Sequence, residues 1–236
     1  MSDVPGAPSR PRIRLEWPFA AADALKVLLA ISIVLFSVSL AMNVAEVLDW
    51  ENPSELIRRL LNTDNEQSVA NWFSAGILLI CALLALSARA HPDSSAAWAW
   101  LAILFLAMSA DEVLALHEVV GARLQDAFDT GGLLRYGFVI PGVGVLVVAV
   151  ILFAPLIRSL PTPARTAFLL GAALYMTGAL GMEAVAGLAY DEGGRDTLPY
   201  VIVSNVEELF EMLGASIVVY ALAARQAIGT GSRAAM

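Results

Sequence analysis

Six runs of roughly twenty mainly apolar residues divide this chain, and they leave it few ways to fold. In hydrocarbon no water satisfies a bare N–H or C=O, so such a run has to close its own hydrogen bonds as a helix. The runs fall at about 24–48, 69–89, 96–119, 136–157, 165–190 and 199–223. Their short connections predict an all-α fold: a polytopic integral membrane protein of the cell membrane, with six transmembrane helices in one bundle over residues 19–225. Composition agrees, since 58% of the 236 residues are hydrophobic and only 15% charged, against about a quarter charged in a soluble domain. Residues 1–18, rich in Pro, Ser and Arg, read as a disordered cytoplasmic tail, and 226–236 as a flexible C-terminal tail. The first apolar run is too long for a signal-peptide core, so it is read as a retained span.

Orientation follows from the basic residues. With the N-terminus inside, nine of the fourteen Lys and Arg lie on the cytoplasmic side; Arg58, Arg59, Arg123, Arg135 and Arg195 lie on the other. That bias predicts both termini in the cytoplasm. Trp17, Trp50, Trp72, Trp98 and Trp100 fall near the span ends, as an aromatic belt would place them. The longest connection, 49–68, puts Ile57, Leu60 and Leu61 on one face and predicts a short helix lying on the membrane surface.

Against this apolar background two stretches carry acids: Ser109 to Glu118 and Ser204 to Gly214. They hold Asp111, Glu112, His117, Glu118, Glu207, Glu208 and Glu211, and an ionisable group inside a span is by default a functional-site candidate. The topology brings them to one depth. Asp111, Glu183 and Glu207 each lie on the order of 10–12 Å below the extracytoplasmic surface at about 1.5 Å rise per residue. On the last span Ser204, Glu207, Glu208 and Glu211 share an arc of about 100°. On the third, Asp111 and Glu118 are seven apart and nearly eclipsed, so Asp111, His117 and Glu118 are predicted to face the site together. Glu112 is then left to a neighbouring helix or another part of the cluster.

No Lys or Arg lies inside a span away from its ends, so these carboxylates find no basic partner within the spans. Crowded in a low dielectric they cannot all stay ionised, and must hold protons or bind a cation. Oxygen ligands with one imidazole suit Zn, Mn or Fe. The expectation is a divalent metal held by Asp111, His117, Glu118, Glu207, Glu208 and Glu211, with Glu208 or Glu183 as general base and Glu112, Ser109, Ser204, Asn205, Asn43 and Glu46 in support. The substrate would be a lipid or other hydrophobic small molecule arriving laterally from the membrane lipids.

Other classes are narrowed by what the chain lacks. The Glu-x-x-His of di-metal carboxylate bundles is missing, because residue 114 is Leu. Met212 stands where membrane CAAX-type proteases carry the Arg of Glu-Glu-x-x-x-Arg, and the several histidines of membrane desaturases or ceramidase-like hydrolases are absent. No basic nucleic-acid patch or phosphate loop occurs, and the single Cys81 reads as a small buried hydrophobe. Two alternatives stand beside the metalloenzyme: a proton- or cation-coupled transporter, for which a homo-oligomer would supply the missing path, and a structural protein whose protonated acids only fix helix packing.

Quieter readings attach to single residues. Glu183 alone could be a protonated hydrogen-bond donor, Glu46 and Asn43 solvated helix-end groups, and Asn71 an interfacial group. His91 reads as a solvated loop residue. Gly171, Gly178, Gly181, Ala184 and Gly187 predict a close-packing face, and Pro141 with Gly142 and Gly144 a kink.

Overall fold

The structure, a computed structural model, describes residues 19–50, 53–65, 67–90 and 95–234, with side chains described as far as Gln226. The order is α1 (Ala21–Val47), α2 (Glu55–Leu61), α3 (Val69–Arg89), α4 (Ala97–Leu114), α5 (Leu116–Phe128), a 3-10 turn (Gly132–Leu134), α6 (Val139–Arg158) and α7 (Thr162–Met176). A π-helical turn (Thr177–Met182), α8 (Glu183–Gly193) and α9 (Leu198–Ala234) follow. Among the described residues there is no strand. Five stretches are long and apolar enough to cross a membrane: α1, α3, α4, α6 and the continuous run from α7 through α8. They correspond to the first five predicted spans, the third being cut short at Leu114. The sixth lies on α9, which carries the three glutamates in its first half and runs on to Ala234, through the segment predicted as a flexible tail. The predicted N-terminal tail, Trp17 and His91 lie outside the described residues.

The outer helices are patterned for hydrocarbon. α1 buries Ser32, Ser39 and Asn43 while exposing Val27, Ile33, Val34 and Val38. α6 exposes Val145, Val147, Val150, Ile151 and Leu152. A helix that buries most of its polar side chains, returns its exposed Ser37 hydroxyl to the Ile33 carbonyl and shows its valines is suited to lipid tails, where polar groups must be satisfied internally. Trp50, Trp72 and Trp100 are exposed as a belt requires. Trp98, in contrast, is buried and stacks under the Arg225 guanidinium at 4.4 Å, so it packs the bundle. α2 forms where the surface helix was expected, capped by Ser54 and exposing Leu56, Ile57 and Leu60.

α9 is the helix the others surround, packing against α1, α3, α7 and α8. Around its second half Ile77, Leu78, Leu84, Leu101, Phe105, Phe168, Val218 and Leu222 form a closed apolar core. Glycine lets α7 come close: a Cβ at Gly214 would lie 2.5 Å from the Tyr175 nitrogen and 2.7 Å from the Gly171 oxygen. Of the expected small-residue face, Gly171 and Gly178 lie against α9, and Gly187 packs on the Gly132–Tyr136 turn. A Cβ at Gly181 would meet nothing nearer than Thr177 of its own helical run. The expected kink in α6 is not needed at Pro141, which sits in the first turn, where a missing N–H costs no helical bond.

At the other end of α9 a polar pin replaces apolar packing. Asn205 is fully buried and accepts from the Thr63 hydroxyl at 3.2 Å. Thr63 lies 3.1 Å from the Ser39 hydroxyl, and Asn43 donates to Asn62 at 2.9 Å. α1, the turn after α2 and α9 are thereby tied together. Asn205 and Asn43, expected beside the site, serve this pin.

Gly214→Ala should lower the unfolding midpoint in detergent by an amount corresponding to roughly 1–3 kcal/mol, because backbone on backbone cannot yield. Gly76→Ala, with nothing within 4 Å of its added Cβ, should leave it unchanged or raise it.

Candidate functional site

The site begins with a broken helix. The third predicted span, 96–119, is not continuous: Ala115 takes a left-handed conformation (φ 50°, ψ 41°) that ends α4 and starts α5 in a new direction. For a non-glycine residue that conformation costs roughly 1–3 kcal/mol unless neighbours hold it. Asp111 supplies the hold. One carboxylate oxygen accepts the backbone N–H of His117 at 3.0 Å, and the other lies 2.8 Å from its Nδ1. The His117 ring meets Phe138 edge-on at 5.0 Å. With Nδ1 committed to Asp111, the ring acts on its other surroundings through Nε2.

α5 therefore leaves the predicted helical phase and brings His117 and Glu118 to a chamber of about 270 Å³. α4 contributes Glu112, α3 Asn71, α8 Glu183, and α9 Ser204, Glu207, Glu208 and Glu211. The expected roles of the third span's two leading acids are exchanged: buried Glu112 lines the chamber, while Asp111 stands behind His117. Tyr175 donates to Glu112 at 3.1 Å, and Glu211 lies beside both. Glu207 lies beside Glu183. Carboxyls crowded this closely in a low dielectric cannot all stay ionised, so protons or a cation must lie among them. Among the described residues no three His, Cys, Asp or Glu side chains are gathered as a metal-ligand set.

Local backbone chemistry sets this up. The π turn Thr177–Met182 immediately precedes Glu183, and such turns often mark functional positions. Gly178 lets it lie on α9: a Cβ there would come 2.8 Å from the Glu207 carbonyl oxygen and 2.9 Å from Glu211 Cγ. Ser109 is spent on packing, donating to the Ala75 carbonyl at 2.8 Å. Glu46 pairs with Arg58 at 3.1 Å and lines a second, outer cavity. Asn71, expected at an interface, is buried and lines the chamber.

That outer vestibule, about 790 Å³, lies between the end of α1, α2 and the start of α9. Asp64, Glu118, Arg195, Tyr200 and Ser204 line both cavities and so form the neck between them. Here the acids do meet a base: Arg195, in the loop before α9, is the one Lys or Arg lining the chamber among the described residues. Its Nε donates to the Tyr200 hydroxyl at 3.2 Å, and Nη2 lies 3.8 Å from Asp64. Tyr200 donates to Asp64 at 3.0 Å, and Tyr136 lies 3.3 Å from the same hydroxyl. Burial lifts the Asp64 carboxyl to about 6, against the opposing pull of Arg195 and the Tyr200 hydroxyl; Glu183 and Glu118 push it further up. Asp64, Arg195, Tyr136, Tyr175 and Tyr200 escaped the sequence reading because loop charges and isolated tyrosines give no periodic signal.

Infrared or NMR titration should find Asp64 titrating near 6 rather than 3.8. Arg195→Gln should raise it further, since the attraction favouring the ionised form is then gone.

No curated protein and no solved structure matches the chain. A family model does, over residues 26–226. An all-helical protein with several membrane-length helices and an acidic chamber at one end, the chain belongs to the family described as Domain of unknown function (DUF8692).

Proposed function

We propose that this protein spans the cell membrane six times, with α9 as the sixth span and both termini cytoplasmic, and binds a divalent cation in the acidic chamber from the extracytoplasmic side. The observation that carries the reading is the convergence of Glu112, His117, Glu118, Glu183, Glu207, Glu208 and Glu211 on one cavity of about 270 Å³. Concentrated carboxylates in a low-dielectric bundle attract a cation strongly, and protons are what hold them together without one.

The donor set fits Zn, Mn or Fe. A metal-binding imidazole usually gives its second ring nitrogen to a carboxylate, and His117 has Asp111 in that place. His117, Glu118 and Glu208 are the ligands we assign first, with Glu207 and Glu211 joining as their protons leave. Asp111 orients the imidazole. Because carboxyls this close hold protons when no cation is present, binding has to release protons. A bound ion would supply Lewis acidity toward a lipid or other hydrophobic substrate. Glu183, relieved of Glu207, or Glu208 where it is not a ligand, would then accept the proton of the reacting group.

Proton- or cation-coupled transport is the second reading, favoured by the Glu183–Glu207 and Glu112–Glu211 pairs. Against it, the half of the bundle around the far part of α9 is close-packed and apolar. A purely structural network would be indifferent to replacing a protonated Glu by Gln.

Detergent-purified protein should contain stoichiometric Zn, Mn or Fe by mass spectrometry, lost in His117→Ala and Glu208→Gln. No metal after reloading with divalent ions would sink the metal reading. Adding Mn²⁺ to metal-free protein should release protons in a weakly buffered titration, and Glu207→Gln should reduce the number released. Gly178→Ala removes no ligand, yet its Cβ displaces Glu207 and Glu211, so it should weaken Mn²⁺ binding by about tenfold, the equivalent of one good hydrogen bond.

A further inference from the structure

We propose that Arg195 is the gate between vestibule and chamber, a tethered cation that an incoming ion displaces. The inference rests on the cation-binding reading above and adds to it how the site is reached. It stands on placement and bonding rather than on the acids themselves.

Arg195 is shared by both cavities, at the neck formed with Asp64, Glu118, Tyr200 and Ser204. Its guanidinium is held from two sides, by Tyr200 through Nε at 3.2 Å and by Asp64 through Nη2 at 3.8 Å, and it lies 5.9 Å from the centre of the Tyr200 ring. The Tyr200 hydroxyl is saturated. It donates to Asp64 and offers its two lone pairs to Arg195 and Tyr136. Such an arrangement has one stable position, and leaving it breaks a charge-assisted hydrogen bond and an ion pair together. The side chain is nonetheless 55% exposed, on the vestibule side of a short loop. The loop begins at Gly194, whose φ of 83° a side chain rarely adopts, so its path is set by backbone rather than by packing.

The charges around the neck favour exchange of one cation for another. The vestibule is lined by Glu46, Asp49, Glu55, Asp64, Glu118 and Asp196 against Arg58, Arg59 and Arg195. Arg58 is already paired with Glu46 and Glu55. Acidic excess at the mouth concentrates cations there. A cation arriving at Asp64 weakens the guanidinium's hold, and Arg195 swings toward the acids of the vestibule as the ion passes inward. An anion would meet the same excess as a barrier.

The test reads access without relying on metal binding. Cys81 is replaced by Ala, and Ala186, a buried chamber-lining residue, by Cys. The rate of labelling by a small cationic methanethiosulfonate is then measured in full-length detergent-purified protein. Arg195→Ala should speed labelling by about tenfold, the equivalent of one charge-assisted hydrogen bond. Asp64→Asn, which frees the guanidinium without deleting it, should speed it too, and Arg195→Lys should fall between. An anionic reagent of the same size should remain slower in every variant. Labelling that is absent or unchanged in both Arg195→Ala and Asp64→Asn overturns the gate. In parallel, Mn²⁺ association followed by electron paramagnetic resonance should quicken in Arg195→Ala. Wild-type protein that binds no Mn²⁺ while the labelling rates shift as expected would overturn the cation-binding reading and leave the gate standing.

Discussion

The glutamates of α9 sit among helices long and apolar enough to cross a membrane, and most of the architecture around them serves to give their carboxyls polar company. A carboxyl group exposed to lipid tails has neither water nor a partner, a cost of several kcal/mol even in its neutral form. α9 is accordingly the helix at the centre, with α1, α3, α7 and α8 around it. Its first half meets polar groups on every side: Thr63 at Asn205, Glu183 at Glu207, Glu112 and Tyr175 at Glu211. Around the described part of its second half lies the apolar core, with Arg225 stacked on Trp98 at its edge. The two halves differ in chemistry because one carries acids and the other does not.

Two backbone irregularities bring the acids within reach of one another, and each is compensated locally. The left-handed Ala115 turns α5 so that Glu118 comes to the chamber, with Asp111 capping the new helix and holding the His117 ring. The π turn before α8 precedes Glu183, with Gly178 removing the Cβ that would collide with α9. A regular helix through Ala115 would have preserved the predicted eclipsing of Asp111 and Glu118. Strain accepted at a few residues is a common way to assemble a polar site inside a bundle.

The helical character and the chamber's acids were legible because both are written in periodic, local signals. Five of the apolar runs reappear as membrane-length helical stretches, four of them within a few residues of their expected ends and the third cut short at Leu114. Glu207, Glu208, Glu211 and Ser204 keep the single face that a rotation of about 100° per residue predicts. What was not legible depends on contacts distant in sequence. Nothing near Ala115 announces a left-handed residue, since alanine ordinarily favours a helix, and the turn is held by a side chain that sequence assigned to the site. Trp98 sits at a span end like its companions, yet its partner Arg225 lies on another helix. Arg195 is one loop arginine among several on its side of the bundle. Only the packing of α8, the Asp64 turn and the start of α9 shows that it reaches the chamber.

The placement of that single base bears on what kind of site this is. An arginine at the centre of the cluster would neutralise the acids permanently and leave them a structural ion-pair network, for which no ligand is needed. Arg195 instead stands at the neck and pairs with Asp64, while Glu112, Glu183, Glu207 and Glu211 line the chamber behind it with no Lys or Arg among them. Protons held among the acids keep them compact without using up their capacity for a cation, because a proton can leave for solvent whereas an arginine built into the centre of the cluster could not. A polar network meant only to join helices is more simply made from Asn, Ser and Thr, and the pin of Ser39, Asn43, Thr63 and Asn205 does that a few ångströms away without any charge. The chain thus contains both solutions side by side. The contrast between them favours a binding role for the acidic one.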